Sequence, residues 1–286
     1  MIWVLTAFFV LLVIGVPIGY VLGISGVLGI LQIGCTAMLS MAPQRYFAGL
    51  DLFTFLAMPL FIFAGEIMNK AGITERLAKF AEALVGHLRG GMAQSCMVSS
   101  VLFAGITGAA VAEAAAFGST MVPAMEKTGY KRPFACAVVV AGSIIGPTIP
   151  PSNLMVIYGS MMGVSIASLF AAGILPGLVM GLFCMGVIAS LGRRLNLPKS
   201  GQRPSLLSIL KAFRSSLSAL IMPVIILGGI LTGWVTPTEG ASVAVFYALI
   251  LGVFVYRQVG FHDIVEMLVR TARITGAVFV SAITPC

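Results

Sequence analysis

Charged residues are scarce in this sequence. Asp, Glu, Lys and Arg together make up 9% of the 286 residues, whereas hydrophobic residues make up 59% and the mean hydropathy is +1.08. A single soluble core cannot hide that much apolar surface behind so little polar cover. The composition excludes an ordinary soluble domain and predicts an all-α polytopic membrane protein.

Paired metal ligands and paired cysteines are also lacking. The five cysteines are scattered without a CxxC pair, and neither of the two histidines, His87 and His262, has a second ligand at helical spacing. This argues against a transition-metal site. Acid–base pairs and a nucleophile with an adjacent base are not found either, so we predict no enzymatic activity and no organic cofactor.

The net charge of +8 raises the question of a nucleic-acid partner. The 17 Lys and Arg residues occur in short stretches between apolar segments, and basic patches with interleaved aromatic residues are missing. This spacing is typical of charges that orient a membrane protein. We therefore predict membrane lipid, and no nucleic acid, as a partner of the chain.

The sequence does contain apolar segments long enough to cross a bilayer, which takes roughly 20 helical residues. The first, Ile2–Ile33, is too long for a signal peptide and is interrupted at Gly15 and Pro17, so it is one kinked helix or two short ones. The other predicted spans are Asp51–Met68, Phe134–Tyr158, Ile166–Leu191, Leu217–Trp234 and Pro237–Tyr256.

Two stretches, residues 73–91 and 261–276, have the amphipathic pattern of helices that lie along a membrane surface. Each is followed by an apolar segment, and this recurrence indicates an internal duplication. An inverted duplication needs an odd number of crossings between the two stretches, whereas the predicted spans make four. Either one boundary is wrong or one of the surface helices is buried.

The stretch 196–216 is the one clear polar linker, and its basic residues place it in the cytoplasm. The two predicted spans before the linker, Ile166–Leu191 and Phe134–Tyr158, cross the membrane and return. The basic residues of 127–132, and those of 73–91, are therefore expected on the cytoplasmic side as well. Residues 92–126 must then enter and leave the membrane by one face, as a re-entrant hairpin with its turn near Thr107. The alternative is one long helix of small residues packed against its neighbours.

A backbone break at membrane depth is the second irregular feature. GSIIGPTIPPSN, residues 142–153, carries three prolines and two glycines, so carbonyl groups upstream of Pro150 and Pro151 lose their usual amide partners. Such carbonyls suit Na+, and Ser152 and Asn153 lie where they can cap a new helix or contact a ligand. A proline kink that only shapes the helix bundle is the alternative.

Glu113 and Glu239 are among the acidic residues that lie within predicted membrane segments. Glu113 falls in the first turns of the hairpin's second half, where a helix N-terminus stabilises negative charge, so a structural and a functional role are both open. Glu239 follows Pro237 at a predicted helix start and is interpreted as a capping or interfacial acid.

Four segments resemble the large membrane (permease) subunit of tripartite ATP-independent periplasmic (TRAP) transporters. They follow the family order, cover nearly the whole chain and correspond to the N-terminal two-thirds of such a subunit. The segments are MPLFIFAGEIMNKAGI, GITGAAVAEAAAFGSTMVPAMEKTGY, GSIIGPTIPPSNLMVIYGSMMGVSIASLFAAGILPGL and GWVTPTEGASVAVFYALILG.

This resemblance implies a multi-pass protein of the bacterial inner membrane that uses Na+ as the co-transported ion to import a small organic acid, a carboxylate or sugar acid. It implies two partners, a small membrane subunit and a periplasmic substrate-binding protein, and an elevator-type fold with re-entrant hairpin, broken helix and arm helices. The implied Na+ contacts, mostly backbone oxygens, are at Thr107, Gly108, Ala109, Gly146, Thr148 and Pro150. The implied substrate contacts are at Ser152, Asn153 and Thr107.

The chain also departs from the family pattern. Family tips often read SGS where this chain has Thr107, Gly108 and Ala109, which removes one hydroxyl from the ion site. Family members continue through a second hairpin and a second broken helix. We therefore expect an incomplete second repeat and no transport by this chain alone. A related anion and sodium symporter without a binding protein, and a non-transporting truncated membrane fragment, are the alternatives.

The predicted organisation follows from these features. It comprises scaffold helices (1–72), an interfacial arm helix (73–91), a re-entrant hairpin (92–126), transport-domain helices (131–195) with the break at 146–151, a cytoplasmic linker (196–216), scaffold helices of the second repeat (217–260), a second arm helix (261–276) and the truncated start of a second hairpin (277–286).

Overall fold

The computed structural model of the chain describes residues 2–34, 36–195, 197–198 and 205–283. Every regular element in these ranges is helical, which confirms the all-α fold class. The α-helices are α1 (Ile2–Val13), α2 (Ile18–Ile33), α3 (Thr36–Leu50), α4 (Ala57–Lys70), α5 (Ile73–Val85), α6 (Gly91–Thr107), α7 (Ala110–Lys127), α8 (Arg132–Ser143), α9 (Asn153–Met162), α10 (Ile166–Arg194), α11 (Leu206–Leu231), α12 (Pro237–Leu249) and α13 (Phe261–Ile283). A 3-10 helix, Phe53–Leu56, precedes α4, and a π-helical segment, Ile250–Val255, continues α12.

Within the described ranges, four segments are long and apolar enough to cross a membrane: Phe53–Lys70, Ile166–Gly192, Leu207–Leu231 and Pro237–Val255. Large apolar side chains on α1, α10 and α11, such as Trp3 and Phe183, are exposed. Exposed apolar faces are expected where lipid covers the surface. The chain is a polytopic membrane protein.

The centre of the molecule is the pair α4 and α12, which pack on each other more extensively than any other two described helices. Alanines on both helices, including Ala64 and Ala244, are completely buried and let the backbones come close. Helix α12 begins with a capping box: the Glu239 amide donates to Thr236 Oγ1 (3.3 Å) and the Thr236 amide donates to Glu239 Oε2 (2.7 Å). This confirms the interpretation of Glu239 as a capping acid.

Helix α5 corresponds to the first amphipathic stretch. Its apolar face, with Leu77 and Phe80, is buried against α6 and α11, while its charged face is exposed. The Arg76 guanidinium lies 4.1 Å from the centre of the Tyr256 ring, and the Ser216 hydroxyl donates to the Arg76 carbonyl (2.9 Å). Protein side chains, rather than a lipid surface alone, therefore cover the apolar face of α5.

Helix α13 differs from the predicted surface helix 261–276. It continues without interruption to Ile283 and packs antiparallel along α4. Lys70 Nζ lies 2.8 Å from Asp263 Oδ1, Arg270 Nη1 lies 3.4 Å from Glu66 Oε2, and the Phe55 and Phe279 rings are 5.4 Å apart. Part of the apolar face of α13 therefore packs on α4, while Phe261, Val265 and Leu268 stay exposed, and the interfacial position of residues 261–276 stays a prediction.

Other boundaries also differ from those predicted. Ile2–Ile33 is two helices, because the chain turns at Gly15, whose φ is +87°, and Pro17 follows. Helix α3 was not predicted. The linker 196–216 is shorter, since α11 already begins at Leu206, and residues 196 and 199–204 of this linker lie outside the described residues. Of the predicted hairpin start 277–286, residues 277–283 belong to α13 and 284–286 also lie outside the described part.

Candidate functional site

Helices α6 and α7 form a helical hairpin whose turn is Gly108–Ala109. Gly108 ends α6 with φ +58° and ψ +16°, a left-handed conformation that glycine adopts without steric cost, and its amide donates to the Ala104 carbonyl (3.3 Å). Ala109 is extended and starts α7. The reversal therefore depends on one glycine at the tip.

The backbone break separates α8 from α9. Helix α8 ends at Ser143, and residues 144–152 form turns because Pro147, Pro150 and Pro151 have no amide hydrogen to continue it. Ser152 then begins α9: its hydroxyl donates to the Pro147 carbonyl (2.6 Å) and accepts from the Met155 amide (3.4 Å). The Ser152 side chain acts as a helix cap in this structure.

The hairpin tip is seated on the end of this break. The Asn153 amide donates to the Gly108 carbonyl (3.3 Å), and Asn153 Nδ2 donates to the Thr107 carbonyl (3.4 Å). A Cβ atom at Gly108 would lie 2.2 Å from the carbonyl oxygen of Pro151, so the two backbones are in direct contact there. The structure thus brings Thr107 and Gly108 together with Asn153.

The other residues predicted for the ion site have different surroundings. The Pro150 carbonyl faces Gly105 of α6, close to the tip. The Thr148 carbonyl faces Gly173 of α10, where a Cβ would be only 2.6 Å away, and is therefore directed away from the hairpin. The structure does not bring Thr148 to the tip. Ala109 and Thr107 line a cavity described below.

Gly146 lies against Glu113. A Cβ at Gly146 would be 2.4 Å from Glu113 Oε2, so only glycine leaves room for this carboxyl beside the break. Glu113 is in the first turn of α7 and is completely buried. The Ser100 hydroxyl of α6 interacts with the carboxyl, but no contact of either carboxyl oxygen within the described chain has the geometry of a full hydrogen bond. A buried carboxyl group without partners is a site that favours a bound cation or a proton.

Two more buried oxygens near the tip have no hydrogen-bond partner among the described residues, namely Thr107 Oγ1 and Asn153 Oδ1. Both side chains are more than nine-tenths buried, at 3% and 6% exposure. Leaving a buried polar group unpaired costs about 1–3 kcal/mol. The unpaired oxygens of Thr107 and Asn153 at the tip, where Asn153 Nδ2 reaches the Thr107 carbonyl, can therefore accept a ligand.

A cavity of about 170 Å³ lies between α4, the hairpin and α13. Its wall is lined mainly by small residues of α7, together with Gly65, Glu66 and Asn69 of α4, Thr107 at the tip and Arg270 of α13. Its volume is below the roughly 300–1,000 Å³ of drug-sized pockets. The cavity therefore fits a small molecule.

Sequence reasoning missed the part of the site contributed by α4 and α13. Glu66 lies inside the predicted span Asp51–Met68, Asn69 follows it, and Arg270 lies in the amphipathic stretch 261–276, and no sequence pattern connects the three residues. The available signal was Glu66 itself, because an acidic residue within an apolar helix needs a partner. Only the packing of α13 on α4 shows that this partner is Arg270.

The sequence profile of the family described as "Tripartite ATP-independent periplasmic transporter, DctM component" matches residues 5–284. The chain is 42% identical over 264 residues to the uncharacterized protein YgiK of Salmonella typhimurium, covering 92% of this chain and 60% of YgiK. It is 39% identical over 271 residues to the sialic acid TRAP transporter large permease protein SiaM of Vibrio cholerae (94% and 62%). It is 38% identical over 254 residues to the C4-dicarboxylate TRAP transporter large permease protein DctM of Pseudomonas aeruginosa (89% and 59%). The chain spans about three fifths of the length of these relatives.

Proposed function

Since the chain belongs to the DctM family of TRAP transporters, as a large permease subunit and a multi-pass protein of the bacterial inner membrane, we propose that it serves the Na+-coupled import of a small organic acid. The proposed role is transport, without an enzymatic reaction. The observation that carries the proposal is the buried, unpartnered Glu113 carboxyl beside the broken helix.

Sodium fits the chemistry of this region. Half-helix ends and unwound carbonyl groups are the Na+ ligands found where transporter helices are interrupted. Here the tip residues Thr107, Gly108 and Ala109 and the break residues Gly146 and Pro150 supply carbonyl oxygens, Thr107 adds a hydroxyl, and Glu113 adds the compensating negative charge. Thr148 is left out, because its carbonyl faces α10.

The substrate is proposed to occupy the cavity next to the tip, with Thr107 as a contact. Asn153 does not line this cavity but donates from Nδ2 to the Thr107 carbonyl. Relatives are named for sialic acid and for C4-dicarboxylates, so an organic acid is the class that the family favours. A small membrane subunit and a periplasmic substrate-binding protein are the proposed partners, as the name of the family indicates. Ser152 is not proposed as a contact, since its hydroxyl caps α9.

We extend the proposal to an elevator motion of the hairpin and α8–α10 past α4 and α12. The hairpin tip packs closely on α4 at one glycine: a Cβ at Gly65 of α4 would lie 3.0 Å from Thr107 Cγ2 and 3.2 Å from Thr107 Cα. A glycine facing the tip leaves no side chain to interlock with it, which suits a surface that slides.

The test of the proposal is stabilisation by sodium. With the purified chain in lipid nanodiscs, increasing NaCl should raise the midpoint of thermal unfolding in a saturable manner, whereas equal KCl should not. Binding at one hundred times the dissociation constant stabilises by about 2.7 kcal/mol. An identical response to both salts would contradict a sodium site.

Two other functions remain as alternatives, a symporter without a binding protein and a membrane fragment that does not transport. Co-expression of the tagged chain with its small membrane subunit distinguishes the first. Recovery of both proteins in one detergent-stable complex is expected here and argues against a symporter that works without the tripartite partners. A Na+ response, as above, argues against an inert fragment.

A further inference from the structure

The first turns of α11 meet two other elements, the arm helix α5 and the end of the π-helical segment that follows α12. The Phe80 ring of α5 and the Phe213 ring of α11 lie 5.6 Å apart. The Arg76 guanidinium of α5 lies 4.1 Å from the centre of the Tyr256 ring, and the Tyr256 hydroxyl contacts the Ser218 hydroxyl of α11. One arginine is therefore held where these three elements meet.

Two more cations join Arg76 through the register of α11. Lys211 and Arg214 precede Ser218 by seven and four residues, so the three side chains lie along one face of the helix. Both Lys211 and Arg214 are exposed. Among the residues that the structure describes, no carboxylate forms an ion pair with Arg76, Lys211 or Arg214. These three residues, called the basic corner below, carry positive charge without a counter-ion from the described chain.

The basic corner lies at the depth of lipid headgroups. Helix α11 has 26 residues. At 1.5 Å per residue it is about 39 Å long, whereas the hydrocarbon core of a bilayer is roughly 30 Å thick. Its first turns therefore extend beyond the hydrocarbon core. They do so on the side where the preceding linker is predicted to be cytoplasmic.

An apolar strip leads from the basic corner along α11 into the membrane. Leu217 and Ile221 follow Arg214 at three- and four-residue spacing, and both side chains are exposed, at 39% and 38%. A free anion would occupy the cations and leave this strip uncovered. A molecule with a phosphate group and a hydrocarbon chain matches both parts of the surface.

We propose that the basic corner binds the headgroup of an anionic phospholipid. Its phosphate meets the three cations, and an acyl chain lies along Leu217 and Ile221. Anionic lipids attract basic residues next to the membrane surface, and arginine can bind a phosphate group through two parallel N–H donors. A lipid in this position contacts α5 and α11 together and strengthens their packing. The inference goes beyond the proposed transport and does not require bound sodium.

The experiment measures thermal unfolding of the chain in a non-ionic detergent with added dioleoylphosphatidylglycerol or dioleoylphosphatidylcholine, which have the same acyl chains. Phosphatidylglycerol should raise the unfolding midpoint in a saturable manner, and phosphatidylcholine should not. Lys211→Gln and Arg214→Gln should each raise the phosphatidylglycerol concentration for half-maximal stabilisation by about fivefold, the factor expected for one basic residue near an anionic surface.

Arg194→Gln is the matched control. Arg194 is exposed on the same predicted side of the membrane, so its loss changes the general attraction to anionic lipid as much as the loss of Arg214 does. It lies at the end of α10, where Gly192 faces Arg89 beyond the far end of α5. The control should leave the half-maximal concentration within about twofold. All three residues are exposed, so the midpoints without lipid should be equal and show that the variants are folded.

Three outcomes would overturn the inference. Equal effects of the two lipids, or of Arg194→Gln and Arg214→Gln, would show only general attraction to charge. Equal stabilisation by inorganic phosphate would show a site for a free anion. An unchanged lipid response of Lys211→Gln and Arg214→Gln, with loss of co-purification with the small membrane subunit, would make the corner a protein interface. None of these outcomes involves the response to Na+, so the proposed function is tested separately.

Discussion

Replacing Gly108 by alanine should lower the midpoint of thermal unfolding by roughly 5–15 °C, the shift that corresponds to a few kcal/mol in a chain of this size. Two penalties add up at this position. The left-handed φ of +58° costs an alanine about 1–2 kcal/mol, and a Cβ placed 2.2 Å from the Pro151 carbonyl forces the tip off the break at a cost of about 1–3 kcal/mol. Because the displaced atom is backbone, no rotamer change relieves the clash.

The same substitution should also abolish stabilisation by Na+, since it separates the tip from the break residues that are proposed to hold the ion. Gly118→Ala is the control, because Gly118 lies in α7 of the same hairpin, has a helical φ and has open space at its Cβ position. Its effect should be neutral or slightly stabilising, because alanine has the higher helix propensity and its methyl group meets no neighbour there. Equal unfolding temperatures for the two variants would show that the tip is not seated on the break.

Replacing Glu113 by glutamine should separate stability from sodium binding. The buried carboxyl has no hydrogen bond within the described chain, so removing its charge should leave the Na+-free protein at least as stable as the original. The Na+ concentration needed for half-maximal stabilisation should rise about tenfold or more, because the compensating charge is lost. Both effects are measured in one titration of unfolding temperature against NaCl at constant ionic strength.

Glu126→Gln is the matched control for this prediction. Glu126 lies on the same helix α7, and its side chain is 36% exposed beside Arg132, 3.7 Å away. Exposed pairs of this kind contribute about 0–1 kcal/mol, and the Na+ midpoint should not move. Lower stability of Glu113→Gln with an unchanged Na+ midpoint would assign Glu113 a structural role at the start of α7, the other role that its position allows.

Several features could be predicted from local sequence because their physical causes are local. Prolines without amide hydrogens interrupt the helix between Ser143 and Asn153 wherever that segment packs, and the positive φ of the turn at Gly108 is a local property of glycine. The capping box at Thr236 and Glu239 involves residues three apart. In each case the partners are neighbours in the chain.

Other features could not be predicted in this way. The amphipathic pattern of α13 shows that one face needs an apolar cover, but lipid and protein satisfy that need equally well. The structure shows that α4 covers part of this face of α13, and this packing brings Arg270 next to Glu66. The same limit applies to Ser152. A hydroxyl before a helix can cap the helix or contact a ligand, and only the structure shows that this hydroxyl is already bonded to the Pro147 carbonyl.

The amino-acid sequence by itself determined that the chain lies in lipid, that it is helical and where its helices are interrupted. Composition and the missing amide hydrogen of proline have these effects regardless of which distant residues pack nearby. The tertiary structure alone decided which interrupted ends meet, which carboxyl is left without a partner and which arginine faces the cavity. Those outcomes depend on contacts between residues far apart in the chain, such as Gly146 with Glu113 and Arg270 with Glu66, which helical periodicity does not encode.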